Sequence, residues 1–127
     1  MWERILLVGC GGFLGSSARF ALATAVNHLA GGRWPWGTLA VNGLGCLAMG
    51  AVMGLVPPTS APTPAVLFLA TGVLGGFTTF SAFGHETMEL LRHGAWVSAT
   101  ANVIGNVTLG LFAVAAGRAA VLGANGA

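Results

Sequence analysis

Formal charge is nearly absent from this chain. Five arginines and three glutamates are all that its 127 residues carry, and there is no lysine and no aspartate. Charged residues make up 6% of the sequence, against roughly 25% in soluble domains. Between positions 34 and 85 the only ionisable group besides a cysteine thiol is His85, at the very end of the stretch. No soluble fold hides so long an apolar run in so small a volume, which leaves an integral membrane protein in one domain. Five scattered arginines exclude a nucleic-acid partner, because such a surface needs a clustered basic face. Cysteine is scarce too: Cys10 and Cys46 lie in apolar runs without a CxxC pair, which excludes a disulfide framework and reads as small packing residues. No nucleophile–base pair is present, and an enzyme is not expected. Tyrosine is missing altogether.

What remains is apolar chain, 55% of the residues. A spanning helix needs about 20 mainly apolar residues, and four fit, near 4–30, 36–56, 64–92 and 95–120, within a single membrane domain covering 1–127. Their separators are Gly31–Pro35, Pro57–Pro64 and Arg92–Gly94; the second holds four of the five prolines and is the clearest loop. Trp2, Trp34, Trp36 and Trp96 all fall near span ends, where amphipathic rings prefer to sit. The beginning imitates a secretory signal, but Glu3 offsets Arg4 and Arg19 interrupts the approach to Ala21-Leu22-Ala23, so a retained first helix is expected.

Four spans place both termini and the proline loop on one side, with Arg4 and Arg118. The other side has Arg33 and Arg92, joined by Arg19 if it lies close enough to that end. Positive charge therefore gives almost no orientational bias. A small membrane protein balanced in this way can insert both ways round and pair with its inverted copy.

Glycine is the abundant exception, with 21 residues. Gly43, Gly50 and Gly54 share one helical face, and Gly11/Gly15 with Gly12/Ser16 form overlapping small-xxx-small pairs, so most glycines read as helix–helix contacts. Two motif look-alikes fail. Gly9-Cys10-Gly11-Gly12 after an apolar run lacks the third glycine in register and the later acidic residue of a nucleotide-binding turn. His85-Glu86-Thr87-Met88-Glu89 lacks the second histidine of a zinc-protease helix, and the stripe His85, Glu89, His93 reads as a solvated polar edge rather than a metal site.

The polar residues left inside the spans are Arg19, Asn42, the pair Asn102/Asn106, and the segment Gly75–Phe83. That segment places two glycines, three hydroxyls and three phenylalanines in mid-span. Irregular backbone at membrane depth is tolerated only where protein buries it or a water-filled path runs beside it. Carbonyls released near Gly75 and Thr78 suit a small hard cation, whereas a helix restarting near Thr79 offers its positive end to an anion. Phe80 and Phe83 share a face with Thr87, and ring edges carry partial positive charge that can solvate an anion.

The sequence resembles the CrcB (Fluc) family of bacterial fluoride channels nearly end to end. The resemblance rests on Gly11-Gly12-Phe13-Leu14-Gly15 with Arg19-Phe20, on Gly37-Thr38-Leu39-Ala40-Val41-Asn42-Gly43-Leu44-Gly45, on Gly75 through Phe83 with Glu86, and on Gly110-Leu111 with Gly117. It implies an all-α membrane fold whose third helix is broken near Gly75–Thr79. It also implies an antiparallel dual-topology homodimer with two fluoride pores, in the bacterial plasma (inner) membrane. By the same resemblance a structural Na⁺ is held by the main-chain carbonyls of Gly75 and Thr78 from both subunits. Phe80, Phe83 and Asn42 line the fluoride path, Ser81 and Thr79 contribute a polar track, and Arg19, Glu86 and Asn106 stand near it. Two departures are evident: the family commonly has Tyr and Ser in the fourth span where this chain has Asn102 and Asn106, and Ala82 replaces a frequent Thr.

The implied activity is passive export of cytoplasmic fluoride, which lowers its concentration and toxicity. Two rivals come from other classes. A small dual-topology multidrug-type exporter needs a buried carboxylate in the first span, and Glu3 lies at its very start. A non-transporting membrane subunit explains the glycine faces but not the broken third span.

Overall fold

Four helical hydrophobic segments, each long enough to cross a bilayer, account for nearly the whole chain: Trp2–Leu29, Trp36–Leu55, Pro64–Arg92 and Trp96–Ala124. The computed structural model describes residues 1–57, 61–124 and 126. Of the proline-rich separator expected at Pro57–Pro64, positions 58–60 lie outside the described residues. All regular structure among the described residues is helical. The expected spans are met within a few residues, the largest difference being the last helix, which runs on to Ala124 rather than stopping near 120.

Helix α1 (Trp2–Leu29) ends at Gly31 and Gly32, whose φ values of 77° and 65° are open to glycine without strain. The chain then turns into α2 (Trp36–Leu55). Asn27 Oδ1 accepts from the Gly37 N–H at 2.8 Å, which occupies one of the otherwise unpaired donors in the first turn of α2. Trp34 stacks obliquely on Trp36, with ring centroids 4.5 Å apart, and its Nε1 donates to the Ser98 carbonyl at 3.2 Å. That bond fastens the first connection to the start of the last helix. Gly94, with φ 72°, makes the second tight turn on the same side.

The third span is a composite. A short α3 (Pro64–Val66), capped by Thr63, runs into a π-helical segment (Leu67–Leu74) and then α4 (Gly75–Phe77). Thr78 and Thr79 are extended, and α5 (Phe80–Arg92) follows. The position of the break agrees with the sequence reading, but its cause differs. Gly75 and Gly76 are helical, not breakers; the helix stops at the two threonines. Gly76 serves contact instead: a Cβ there would lie 2.7 Å from the Gly12 carbonyl oxygen.

Packing follows the glycines. Gly11 and Gly72 bring α1 and the π segment together backbone to backbone, each Cα lying 3.0 Å from where the other's Cβ would stand. A Cβ on Gly15 would run into the Val73 carbonyl. Between α2 and α6 (Trp96–Ala124), Gly50 faces the Val114 carbonyl, Gly117 faces the Leu47 carbonyl, and Gly54 meets Val121. The face Gly43, Gly50, Gly54 read from the sequence is therefore the α2–α6 seam, with Leu109 against Gly43. Gly45 makes room on α2 for Phe77 and Thr78. Close backbone approach of this kind supplies the van der Waals contact that holds helices together in lipid.

Candidate functional site

Interrupting a helix at two residues leaves backbone groups that must find other partners. Thr79 N–H, which an unbroken helix would give to the Gly75 carbonyl, donates instead to Asn42 Oδ1 at 2.8 Å. Ala82 N–H, the regular donor for the Thr78 carbonyl, goes to Thr79 Oγ1 at 3.2 Å. Thr79 is thereby the N-cap of α5, with the side-chain geometry that stabilises helix starts. Thr78 returns its own hydroxyl to the Leu74 carbonyl at 3.1 Å and so closes the end of the preceding helix. The carbonyls of Gly75 and Thr78 are both released from helical pairing, as the sequence reading requires.

Arg19 reaches this point from α1: its Nη1 donates to the Thr78 carbonyl at 3.4 Å. Half-buried, it points to the break rather than simply running out to the membrane surface. Asn42, the polar residue of α2, spans the break from the other side. Its Nδ2 donates to the Thr79 carbonyl at 3.1 Å and to Asn106 Oδ1 at 2.9 Å. Asn106 Nδ2 in turn donates to Asn102 Oδ1 and to the Asn102 carbonyl, at 2.9 and 3.0 Å. Asn102 Nδ2 donates to Thr87 Oγ1 at 2.9 Å, and the Thr87 hydroxyl donates to the Phe83 carbonyl at 2.7 Å.

Phe80 and Phe83 lie on the first turn of α5 with centroids 5.5 Å apart and planes tilted by 53°. A cavity of about 230 Å³ beside them is lined by Asn42, Cys46, Thr78, Thr79, Asn106 and Val107 as well as the two rings. A second cavity, about 290 Å³, lies on the α1 side, between Ser16, Arg19, Thr38, Thr79 and Glu86. The two share Thr79. A third, about 300 Å³, shares Glu86 and Asn27 with the second and opens among Arg33, Trp34, His85, Glu89 and His93 at the span ends. Three neighbouring spaces thus lie between the α1–α2 turn and the phenylalanine pair, adjoining at Glu86 with Asn27 and at Thr79.

Glu86 sits where the second and third spaces meet. Its Oε1 accepts from Thr38 Oγ1 at 2.7 Å, and its Oε2 is buried with no hydrogen-bond partner among the described residues. Thr38 is missing from the sequence-based site, although it stands four residues before Asn42 and so on the same face of α2. Thr87, Cys46 and Val107 are also absent from that sequence-based site, and Asn102 figures there only as a polar residue of the span with no assigned role. Ser81 is exposed and lies 3.4 Å, oxygen to oxygen, from Thr79 Oγ1. Phe80 is 84% exposed, an aromatic face that the chain's own packing leaves bare. The stripe His85, Glu89, His93 stays an edge: Glu89 pairs with Arg92 at 3.1 Å and stands 3.8 Å from His93, and no group of three potential ligands able to hold a metal occurs among the described residues.

The donor set at the break fits a hard monovalent or divalent cation in kind, since freed main-chain carbonyls are hard oxygen ligands. Two oxygens per chain do not complete a coordination shell, and the guanidinium of Arg19 already occupies one direction on the Thr78 carbonyl. Gly75 is exposed, so its carbonyl region is open to a second surface.

Comparison with known proteins bears on the family of the chain. Residues 6–118 match the model of the family described as CrcB-like protein, Camphor Resistance (CrcB). The chain is 44% identical over 123 residues to the fluoride-specific ion channel FluC of Opitutus terrae, covering 94% of this chain and 93% of that protein. It is 46% identical to the protein of the same name from Solibacter usitatus, over 87% of this chain and 92% of the relative. It is also 46% identical to that of Thermus thermophilus, over 87% and 88%. The match takes in all four spans, both halves of the broken one and every residue of the site, and this chain belongs to the CrcB-like family.

Proposed function

We propose that the protein is a fluoride-specific ion channel, a multi-pass bacterial membrane protein that lets cytoplasmic fluoride leave the cell. The observation that carries this reading is near full-length similarity to proteins named fluoride-specific ion channels, in a chain whose one irregular span holds the phenylalanine pair and Asn42. Fluoride accumulates because neutral HF crosses the membrane from an acidic exterior and dissociates inside. A passive pore then suffices for export, since a negative-inside potential drives an anion outward by ~2.3 kcal/mol per charge per 100 mV. Fluoride is small and strongly hydrated, so short donors and ring edges must replace its water along the path. Asn42, Thr79, Asn106 and the edges of Phe80 and Phe83 are the groups offered, with Ser81 beside Thr79 and Arg19 and Glu86 in the adjoining space. A narrow lining of amides, hydroxyls and ring edges would disfavour larger halides by fit.

The working form is an antiparallel homodimer of dual topology in the plasma (inner) membrane. Support comes from the bare Phe80 face and from polar groups at membrane depth on an unpartnered surface, Ser81 and the Gly75 backbone among them. Open polar surface in hydrocarbon is costly, and a second copy removes it. An inverted twin would bring two breaks together, and the Gly75 and Thr78 carbonyls of both would hold a structural Na⁺, which supplies positive charge that locks the pair.

Reconstitution into liposomes with a fluoride electrode tests the reading. Fast fluoride efflux with negligible chloride leak is expected. Efflux that requires a counter-transported proton would sink the channel, and no efflux at all would favour a subunit without transport activity.

A further inference from the structure

The amides that meet at the break cannot be turned round. Thr79 N–H can only donate and the Thr79 carbonyl can only accept, so Asn42 must present Oδ1 to the first and Nδ2 to the second. The remaining hydrogen of Nδ2 then requires an oxygen from Asn106. Asn106 is fixed independently at its other end, because the Asn102 carbonyl accepts and cannot donate. Asn102 follows, with Oδ1 toward Asn106 and Nδ2 toward Thr87, whose hydroxyl is committed to the Phe83 carbonyl. Every bond in the series runs in one direction, from α2 through α6 to α5, and backbone groups on either flank of Phe80 set its sense.

We propose that Asn102 is a positioning residue of the channel: its Oδ1 holds the second amide hydrogen of Asn106 and so steadies the Asn106 Oδ1 that shares the Asn42 amide at the pore lining, with Thr87 as the anchor of the series. Asn102 is 0% exposed and does not line the cavity beside the phenylalanines, whereas Asn42 and Asn106 do. It therefore acts on the ion only through its neighbours. Both hydrogens of Asn42 Nδ2 are engaged, and an arriving anion must take one from the Thr79 carbonyl or from Asn106 Oδ1. The rigidity of Asn106 determines how that exchange proceeds, and of its two bonds to Asn102 the main-chain one would outlast a substitution whereas the one to Oδ1 belongs to the side chain. Chains of hydrogen bonds in a low-dielectric interior strengthen one another, so loss of an interior member is felt along the series.

The inference rests on the channel reading, and the experiment separates the two. Wild type, Asn102→Leu, Thr87→Val and, as a control outside the series, Thr108→Val are reconstituted for fluoride efflux and followed for elution profile and thermal midpoint in detergent. Asn102→Leu should lower efflux by about tenfold and Thr87→Val by about threefold, with elution and midpoint held at wild-type values and Thr108→Val unchanged. In an Asn42→Ser background, where no amide is left for Asn106 to share, Asn102→Leu should cost less than about twofold. Full efflux in Asn102→Leu would overturn the proposal. So would losses in Asn102→Leu and Thr87→Val that merely track a lowered midpoint or a broken elution profile, because the residues would then be structural alone. If Asn102→Leu does not fold, Thr87→Val decides by the same two readings. A wild type without fluoride efflux would fail the channel reading itself.

Discussion

At the scale of single residues, the site is made by threonines that give up helical bonding. Thr78 closes one helix by donating its hydroxyl to the Leu74 carbonyl, and Thr79 opens the next by accepting from the Ala82 N–H, which leaves the Thr79 hydroxyl hydrogen as a donor. The donors left to the cavity are few, which puts weight on the ring edges of Phe80 and Phe83. Isoleucine keeps apolar bulk at these positions but has no quadrupole and no partly positive edge. Phe80→Ile and Phe83→Ile should each slow fluoride efflux by about tenfold or more, a barrier increase of ~1.4 kcal/mol, without loss of the folded protein. The fluoride electrode reads the first part and size-exclusion elution the second; unchanged efflux in both variants would remove the rings from the path. Most of these residues are legible in the sequence because they are polar or aromatic inside an apolar run. Thr38 and Thr87 are not, since a threonine in a span usually bonds its own helix, and only tertiary contact shows Thr38 on Glu86 and Thr87 on Asn102.

At the scale of elements, hydropathy shows the four spans but not the shape of the third. A run such as Leu67–Leu74, apolar but for Thr71, has no periodic signal from which a π-helix could be told from an α-helix. Gly75 and Gly76 mislead for a related reason: glycine lowers helix propensity in water, but in lipid its missing side chain is a packing asset. The α2–α6 seam makes that distinction testable. Gly50 and Gly117 face backbone carbonyls that cannot rotate away, whereas nothing lies within 4 Å of the Cβ position on Gly9. Gly50→Ala and Gly117→Ala should each lose ~1–3 kcal/mol, the cost of overpacking, seen as a lower midpoint in detergent denaturation. Gly9→Ala should be neutral, or up to ~1 kcal/mol stabilising through helix propensity. A midpoint for Gly50→Ala equal to that of Gly9→Ala would mean that the seam yields and does not hold the fold.

At the scale of the whole molecule, positive charge is nearly balanced between the two sides. Arg4 and Arg118 lie on one side, and Arg33 and Arg92 on the other. Arginine and lysine near span ends set topology, and two added charges exceed any bias present here. Ala61→Lys with Pro62→Lys loads the side of the termini, and Ala30→Lys with His93→Lys loads the opposite side; Ala30, Ala61, Pro62 and His93 are all exposed. If the working form is an antiparallel pair, each doubly substituted protein inserts one way only, has no inverted partner, and should lose most fluoride efflux in cells. Expressed together, the two should restore it, because each supplies the other's missing orientation. Labelling of a cysteine added at the C-terminus checks the premise: both sides in the wild type, opposite single sides in the two variants. Full efflux from either variant alone, with its label confined to one side, would require a parallel pair or a single chain as the conducting unit. The bare face of Phe80 would then need another cover.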